Sequence, residues 1–289
     1  MRKIKNAIKG LLEKRALRKR GIIASKPRKL GVTKTKRPQE VIISMTSHPG
    51  RIKSAHYTIW TLLQQDVLPD RVILWLAREQ FPDEKGIPDE ILELQKFGLE
   101  IGWYHDIRPY KKLIPVLKEY PNALAVTVDD DWFYRKDMLR VLLEAHEKYP
   151  DEVICHTATR VRFDEADNLV TAECKPGTSS YFNKILGSGG ILYPANGLDD
   201  QVFNEELFME AAPTNDDIWF WAMAVKKGTK IRLPENALGN EVMTDVEYQR
   251  GTALGWINCV GNIYIETTVR MLELFPEIRE NLKKEAQEQ

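Results

Sequence analysis

The feature that most constrains the fold is a regular alternation of short apolar runs and amphipathic segments from residue 41 onward. Residues 41–45, 72–76 and 124–128 are almost wholly apolar, as is typical of strands buried in a parallel sheet. Helical periodicity separates them and is strongest over residues 137–148. Parallel strands joined by helices imply right-handed crossovers. The pattern therefore predicts an α/β fold with a mostly parallel, twisted sheet flanked by helices.

The second half of the chain is less regular. Residues 160–186 favour hairpins and loops, whereas 191–193 and 231–233 are typical of short strands. Helices are predicted at 216–227 and 263–284, the latter with a break at Pro276. In such a fold, ligands bind beyond the carboxyl ends of the strands.

The charge distribution divides the chain near residue 39. Overall, 42 Lys and Arg balance 42 Asp and Glu, but residues 1–39 carry 15 basic residues and only one acid, Glu13. Residues 1–20 predict a basic amphipathic helix and 21–39 a linker, followed by one domain over 40–289. Three roles are open for this basic arm, residues 1–39: it is a solvated terminus, it binds an anionic membrane surface, or it binds nucleic acid. We favour the membrane and not nucleic acid, because the body is acidic and offers no basic face with aromatic side chains.

Composition indicates the compartment. The three cysteines are widely spaced and form no C-x-x-C pair, which excludes a disulfide framework and a cysteine zinc site. No apolar run approaches the ~20 residues of a membrane-spanning helix. The expected location is cytoplasmic, peripheral on the inner face of the plasma membrane.

Three carboxylates, Asp129, Asp130 and Asp131, follow the apolar run that ends at residue 128. Alternate residues of an extended chain share a side, so Asp129 and Asp131 are expected to point together. Paired carboxylates suit Mg²⁺ or Mn²⁺ completed by phosphate and water. The alternative is an acidic turn that starts a helix.

A second acidic pair, Asp216 and Asp217, begins the helix predicted at 216–227. Acids in a first helical turn complement the helix dipole. This capping role accounts well for one of the two acids and less well for the second. A carboxylate held there beside a metal–phosphate site is also suited to act as a general base. From this segment alone, the structural interpretation is favoured over the catalytic one.

Two further segments carry weaker signals. Gly187-Ser188-Gly189-Gly190 is either a hairpin turn or a loop that lets a sugar approach the backbone. Lys111 and Lys112 follow another strand, where an ammonium would meet a diphosphate, although a solvated pair is the simpler interpretation.

The order of these motifs resembles the bacterial GT-A-fold glycosyltransferases, especially the family 2-like enzymes of cell-surface polysaccharide biosynthesis. The resemblance runs from about residue 41 to 228. It implies a metal-dependent, inverting transfer from a nucleotide-sugar, with a UDP-sugar favoured, to a hydroxyl of a glycan or lipid-linked glycan. The roles that it implies are Asp129 and Asp131 on Mn²⁺ or Mg²⁺; Thr46, Ser47, Arg51, Lys111, Lys112 and Asp130 on the donor; Gly189, Gly190, Asp216 and Trp219 on the acceptor; and Asp217 as catalytic base.

Two other classes stay open. A nucleotidyltransferase of sugar metabolism also uses an α/β sheet and carboxylate-held metal, but it normally has a glycine- and arginine-rich loop after the first strand. His48-Pro49-Gly50-Arg51 is a poor substitute for such a loop. The third class is a non-catalytic, membrane-peripheral scaffold or glycan-binding module in which the acids only cap helices.

Overall fold

The structure of the protein, a computed structural model, describes residues 15–239, 242–244 and 263–288. The strands are β1 (Val41–Thr46), β2 (Arg71–Ala77), β3 (Leu99–Tyr104), β4 (Leu124–Thr127), β5 (Val153–Cys155), β6 (Ala158–Phe163), β7 (Leu169–Ala172), β8 (Thr178–Ser180), β9 (Asn183–Ile185), β10 (Ile191–Tyr193) and β11 (Ile231–Leu233). The labelled helices are α1 (Ile52–Leu62), α2 (Asp89–Leu92), α3 (Ile114–Glu119), α4 (Met138–Lys148), α5 (Glu205–Ala211), α6 (Asp216–Lys227), α7 (Ile263–Leu274) and α8 (Pro276–Glu288).

Eight strands form the main sheet in the order β3-β2-β1-β4-β10-β5-β11-β8. The pairs β3–β2, β2–β1, β1–β4 and β5–β11 are parallel, whereas β10 is antiparallel to both of its neighbours and β8 is antiparallel to β11. Six of the eight strands therefore point the same way. This confirms the predicted α/β class with a mostly parallel sheet flanked by helices. The irregular region forms a separate antiparallel sheet, β7-β6-β9.

Both faces of the main sheet are buried, which explains why the strands are continuously apolar. Alternate residues of β1 point to opposite sides: Ile42 joins one core and Ile43 the other. Helices α1 and α4 cover the Ile43 side, and α6 covers the Ile42 side with α7 and α8 packed against it.

The predicted helices differ from the observed ones mainly at their ends. The helix inside 137–148 begins at Met138, and the one at 216–227 has the predicted bounds. Pro276 separates α7 from α8, because proline lacks the N–H that a continuous helix requires. The run 124–128 is strand only as far as Thr127.

Residues 21–39, predicted as a linker, contain no helix or strand, yet they lie against the body. The Gly31 N–H donates to the Phe97 carbonyl at 2.8 Å, and the Thr33 N–H donates to the Pro69 carbonyl at 2.8 Å. Ile22 is fully buried. Residues 15–19 are helical, but 1–14 of the predicted basic helix lie outside the described residues, and the domain boundary at 39/40 stays a prediction. Within the described part of the chain, no helix has the length and apolar character needed to cross a bilayer.

Candidate active site

The candidate site lies where the parallel strands β1 and β4 end. Ser47 follows β1 directly, and Asp129 comes two residues after the end of β4. Between them, the Val128 N–H donates to the Ser44 carbonyl at 3.1 Å, so the chain still follows β1 before it turns away. The predicted ligand edge of the sheet therefore does carry the acidic triplet.

Lys112 connects this triplet to the second acidic pair. Its ammonium Nζ lies 3.0 Å from Asp129 Oδ1, 2.9 Å from Asp216 Oδ2 and 3.4 Å from Asp217 Oδ1. The Ser44 hydroxyl donates to the Lys112 carbonyl at 2.6 Å and so fixes the backbone of residue 112 against β1. Asp129 and Asp217 are the accessible members of the group, with side chains 33% and 22% exposed. One buried cation thus holds carboxylates from two distant parts of the chain.

The glycine segment completes this arrangement. The Gly187 N–H donates to Asp217 Oδ2 at 2.7 Å. A Cβ at position 187 would lie 2.8 Å from Lys112 Nζ, 3.0 Å from Asp217 Oδ1 and 3.1 Å from Asp129 Oδ1. Only glycine lets the backbone come this close to the charged group.

Arg51 holds the other two acids of the triplet. Its guanidinium lies 3.0 Å from Asp130 Oδ1 and also contacts Asp131. The Ser47 hydroxyl donates to Asp130 Oδ2 at 2.5 Å. These acids lie in a turn after β4, so strand alternation no longer applies and Asp129 is bonded to a different cation from Asp131.

The site holds more negative than positive charge, and the pKa values reflect this. Burial raises the pKa of Asp131 to about 7 against the opposing effect of Arg51, and burial raises the pKa of Asp216 to about 7 against that of Lys112. Burial also raises the pKa of Asp217, again opposed by Lys112, while the pKa of Lys112 lies well above its usual value because the surrounding carboxylates outweigh its burial. The ammonium is therefore fully charged at neutral pH.

These donors fit a hard divalent cation by their chemistry. Mg²⁺ is usually bound by one or two carboxylates, with substrate phosphates and water completing its shell. Within the described ranges, no three His, Cys, Asp or Glu side chains are grouped so that they could hold an ion by themselves. The protein would therefore supply Asp129 as a metal ligand, and Asp131 as a second ligand once that side chain is released from Arg51. Any ion must compete with Lys112 for Asp129.

Other predicted site residues lie elsewhere or are engaged. The ammonium of Lys111 bonds to Asp106 at 2.5 Å instead of facing the cluster, and the Thr46 hydroxyl donates to the Trp75 carbonyl at 2.8 Å. Trp219 is fully buried and stacks edge-on against Phe275, so the expectation that it binds an acceptor is corrected. The cause is that α6 is buried between the sheet and α7–α8, a depth that its sequence does not reveal.

The two remaining acceptor glycines are buried as well. A Cβ on Gly189 would lie 2.4 Å from Thr157 Oγ1, and Gly190 has φ +92°, near Met138. These glycines shape the turn that leads from Gly187 into β10. Together with Trp132 and Ser188, Gly189 lines a cavity of about 20 Å³.

Sequence reasoning missed two positioning residues. Ser44 is the one hydroxyl residue in the apolar run 41–45, and a buried polar group usually signals a required partner. Tyr134, by contrast, gave no signal; its hydroxyl accepts the Asp129 N–H at 2.9 Å and so orients the start of the triplet.

Comparison with known proteins adds little to this geometry. No protein-family model matches the chain, and no curated protein matches it by sequence. Among solved structures it is similar to a CMP:2-keto-3-deoxy-manno-octonic acid synthetase complexed with CTP, at 13% identity over 67% of this chain and 88% of that one. The TM-score of 0.40 is too low to support an argument about function.

Proposed function

We propose that this protein is a transferase acting on a nucleotide-activated sugar, and that it moves the sugar to a hydroxyl of a cell-surface glycan. The observation that carries the proposal is the Lys112 contact, which brings Asp217 and Asp129 to one nitrogen, within 3.4 Å of it in both cases. Both carboxylates lie at the carboxyl edge of the sheet, where α/β folds bind ligands, which supports roles for Asp129 at the donor and for Asp217 as the base.

Asp217 has the properties of a base for the acceptor hydroxyl. It is partly exposed, its carboxylate is oriented by the Gly187 N–H, and burial raises its pKa, which makes it a stronger base than an ordinary carboxylate. The acceptor oxygen would lose its proton to Asp217 as it attacks the anomeric carbon. The bond from that carbon to the diphosphate oxygen would break in the same step, and the nucleoside diphosphate would leave with the electron pair, in a single displacement with inversion.

The cations of the site would bind the donor's diphosphate. Lys112 and Arg51 are the buried positive groups in contact with the acids, and Ser47 supplies a hydroxyl next to Asp130. Mn²⁺ or Mg²⁺, held by Asp129 and Asp131, would neutralise charge on the departing nucleotide. Asp216 lies behind Lys112 and would keep the ammonium in place rather than touch the acceptor.

Nucleotidyl transfer is the second candidate. The cations Lys112 and Arg51 would also suit the triphosphate of a nucleotidyl donor. We favour sugar transfer because the segment after β1, His48-Pro49-Gly50-Arg51, is a poor substitute for the glycine- and arginine-rich loop of a nucleotidyltransferase.

A donor screen distinguishes the candidates. The chain is incubated with several nucleotide-sugars or with nucleoside triphosphates and sugars, with and without Mn²⁺, and the released nucleotide or pyrophosphate is measured. Release of nucleoside diphosphate that is lost in Asp217→Asn supports the proposal. The matched control is Asp66→Asn, which removes an acid that bonds to Arg140 at 3.2 Å away from the site.

Release of pyrophosphate would instead assign nucleotidyl transfer. If calorimetry with UDP and Mn²⁺ also shows no binding, the non-catalytic glycan-binding or scaffold module becomes the better description. A peripheral location on the inner face of the plasma membrane is part of the same proposal.

A further inference from the structure

A strip of exposed positive charge lies on residues 26–36, on the segment that precedes β1. We call it the basic ridge; its exposed basic side chains are Lys26, Arg28, Lys29, Lys34 and Lys36. Lys26 contacts Glu93, and the other four form no ion pair with another described residue. This charge is therefore available to a partner.

The ridge is held firmly, although it contains no helix or strand. Its backbone is bonded to the body through the Gly31 and Thr33 N–H groups, at 2.8 Å each. A Cβ at Gly31 would lie only 2.4 Å from the Leu63 carbonyl, so the segment approaches the end of α1 closely. Beyond the ridge, the Arg37 guanidinium donates to the Leu68 carbonyl at 2.6 Å. The ridge is thus a fixed surface of the domain.

The chemistry of the ridge favours an anionic lipid surface. Leu30 is 36% exposed at its centre, directly after Arg28 and Lys29, which places an apolar side chain among positive charges. No aromatic residue precedes Tyr57 in the chain, so the ridge lacks the stacking platforms with which proteins bind single-stranded nucleic acid. The acidic remainder of the chain would be repelled by the same bilayer, which limits contact to this face.

The ridge and the candidate site lie at opposite ends of the main sheet. The ridge is bonded to Pro69 and Phe97, which come just before β2 and β3 begin, whereas the site lies where β1 and β4 end. A strand of this length spans roughly 20 Å.

We propose that the basic ridge docks the domain on an anionic membrane and turns the candidate site away from the bilayer. If the proposed function is correct, the hydroxyl that receives the sugar must then stand roughly 20 Å or more from the lipid surface. Such an acceptor is the far end of an extended glycan rather than a sugar attached directly to its lipid.

Vesicle sedimentation tests the docking. The full chain is spun with phosphatidylcholine vesicles and with vesicles that also contain phosphatidylglycerol, and we expect salt-sensitive binding only to the second. Each basic residue near such a surface strengthens binding about fivefold, so Arg28→Gln with Lys29→Gln should weaken it about 25-fold. The control is Lys53→Gln with Lys85→Gln, an equal loss of exposed charge elsewhere, which should change little.

Equal binding by the two double variants, or equal binding to both vesicles, would overturn the ridge as the docking surface. Hydrogen exchange on the vesicles tests the orientation: residues 26–36 should become protected while 187–190 should not, and the reverse pattern would overturn it. Neither measurement uses a nucleotide-sugar, so their failure leaves the proposed sugar transfer untouched, and a failed donor screen leaves the docking untouched.

Discussion

Replacing Lys112 by methionine is the most direct test of the site's design. Methionine keeps much of the side chain's length and removes the ammonium that contacts Asp129, Asp216 and Asp217. The three carboxylates would then face one another with no cation between them.

The expected cost can be worked out from the burial of the group. Removing one partner of a buried ion pair costs about 3–5 kcal/mol when the other charge stays buried. The carboxylates can avoid part of this cost by binding protons. Without Lys112, the pKa of Asp216, already about 7, would rise further, because the effect that opposes its burial is gone.

The sign of the pH dependence follows from that change. A carboxyl whose pKa is higher in the folded state stabilises the fold at low pH, and this stabilisation is lost as the pH rises through that pKa. One pKa unit corresponds to about 1.4 kcal/mol, and Asp216 of the natural protein already binds its proton below about pH 7, so the destabilisation should shrink by about 1.4 kcal/mol between pH 8 and pH 5. In the natural protein Lys112 is charged throughout, because its pKa lies well above its usual value.

Urea unfolding followed by tryptophan fluorescence at pH 5 and pH 8 measures this difference. The matched control is Lys111→Met, whose ammonium bonds to the partly exposed Asp106, so its cost should be smaller and depend less on pH. Adding Asp216→Asn to Lys112→Met should recover part of the lost stability at pH 8. An equal cost at both pH values, or equal costs for Lys111→Met and Lys112→Met, would refute this reasoning.

Three further outcomes are expected at neighbouring positions. Asp217→Asn should leave nucleotide binding intact and lower turnover by two or more orders of magnitude, and near-full turnover in the donor screen would show that Asp217 is not the base. Gly187→Ala should lower turnover at least tenfold with little loss of stability, because the added methyl displaces the ammonium or the carboxylates; unchanged kinetics would contradict the close approach. His156, whose Nε2 bonds to the Met138 carbonyl at 3.0 Å and whose Nδ1 accepts the Leu238 N–H at 3.0 Å, should titrate near pH 4 by NMR, because burial lowers its pKa to about 4. Its contribution to stability should therefore be lost as the pH falls from about 6.5 toward 4, and a midpoint near 6.5 would refute its burial as a neutral group.

The order and type of the elements could be predicted from the sequence because their signals are local. The helix over 216–227 carries acids in its first turn, Lys226 and Lys227 in its last, and Gly228 at φ +86° to end it. The strands of the sheet could be predicted from the positions of their apolar residues alone. The ends of elements were harder to predict where packing sets them. The apolar run 124–128 predicts a strand as far as residue 128, but β4 ends at Thr127.

The candidate site was predictable in its parts but not in its connections. The sequence places acids after a strand and at a helix start, yet nothing in it pairs Lys112 with Asp217, which is 105 residues away. The alternation predicted for Asp129 and Asp131 failed to put them on one cation, because the chain turns after β4 and Arg51 binds the later acid. Trp219 was misjudged since burial on all sides of a helix depends on what packs against it.

The sequence by itself determined the alternation of strands and helices, the acids at the strand ends and the concentration of positive charge before residue 39. Only the tertiary structure decided that Lys112 joins two acidic segments and that the basic ridge lies at the far end of the sheet from them. A local pattern depends only on residues that are close in the sequence, within one helical turn or one strand. Contacts between distant segments depend on how the sheet orders its strands, and that order follows from the packing of the whole domain.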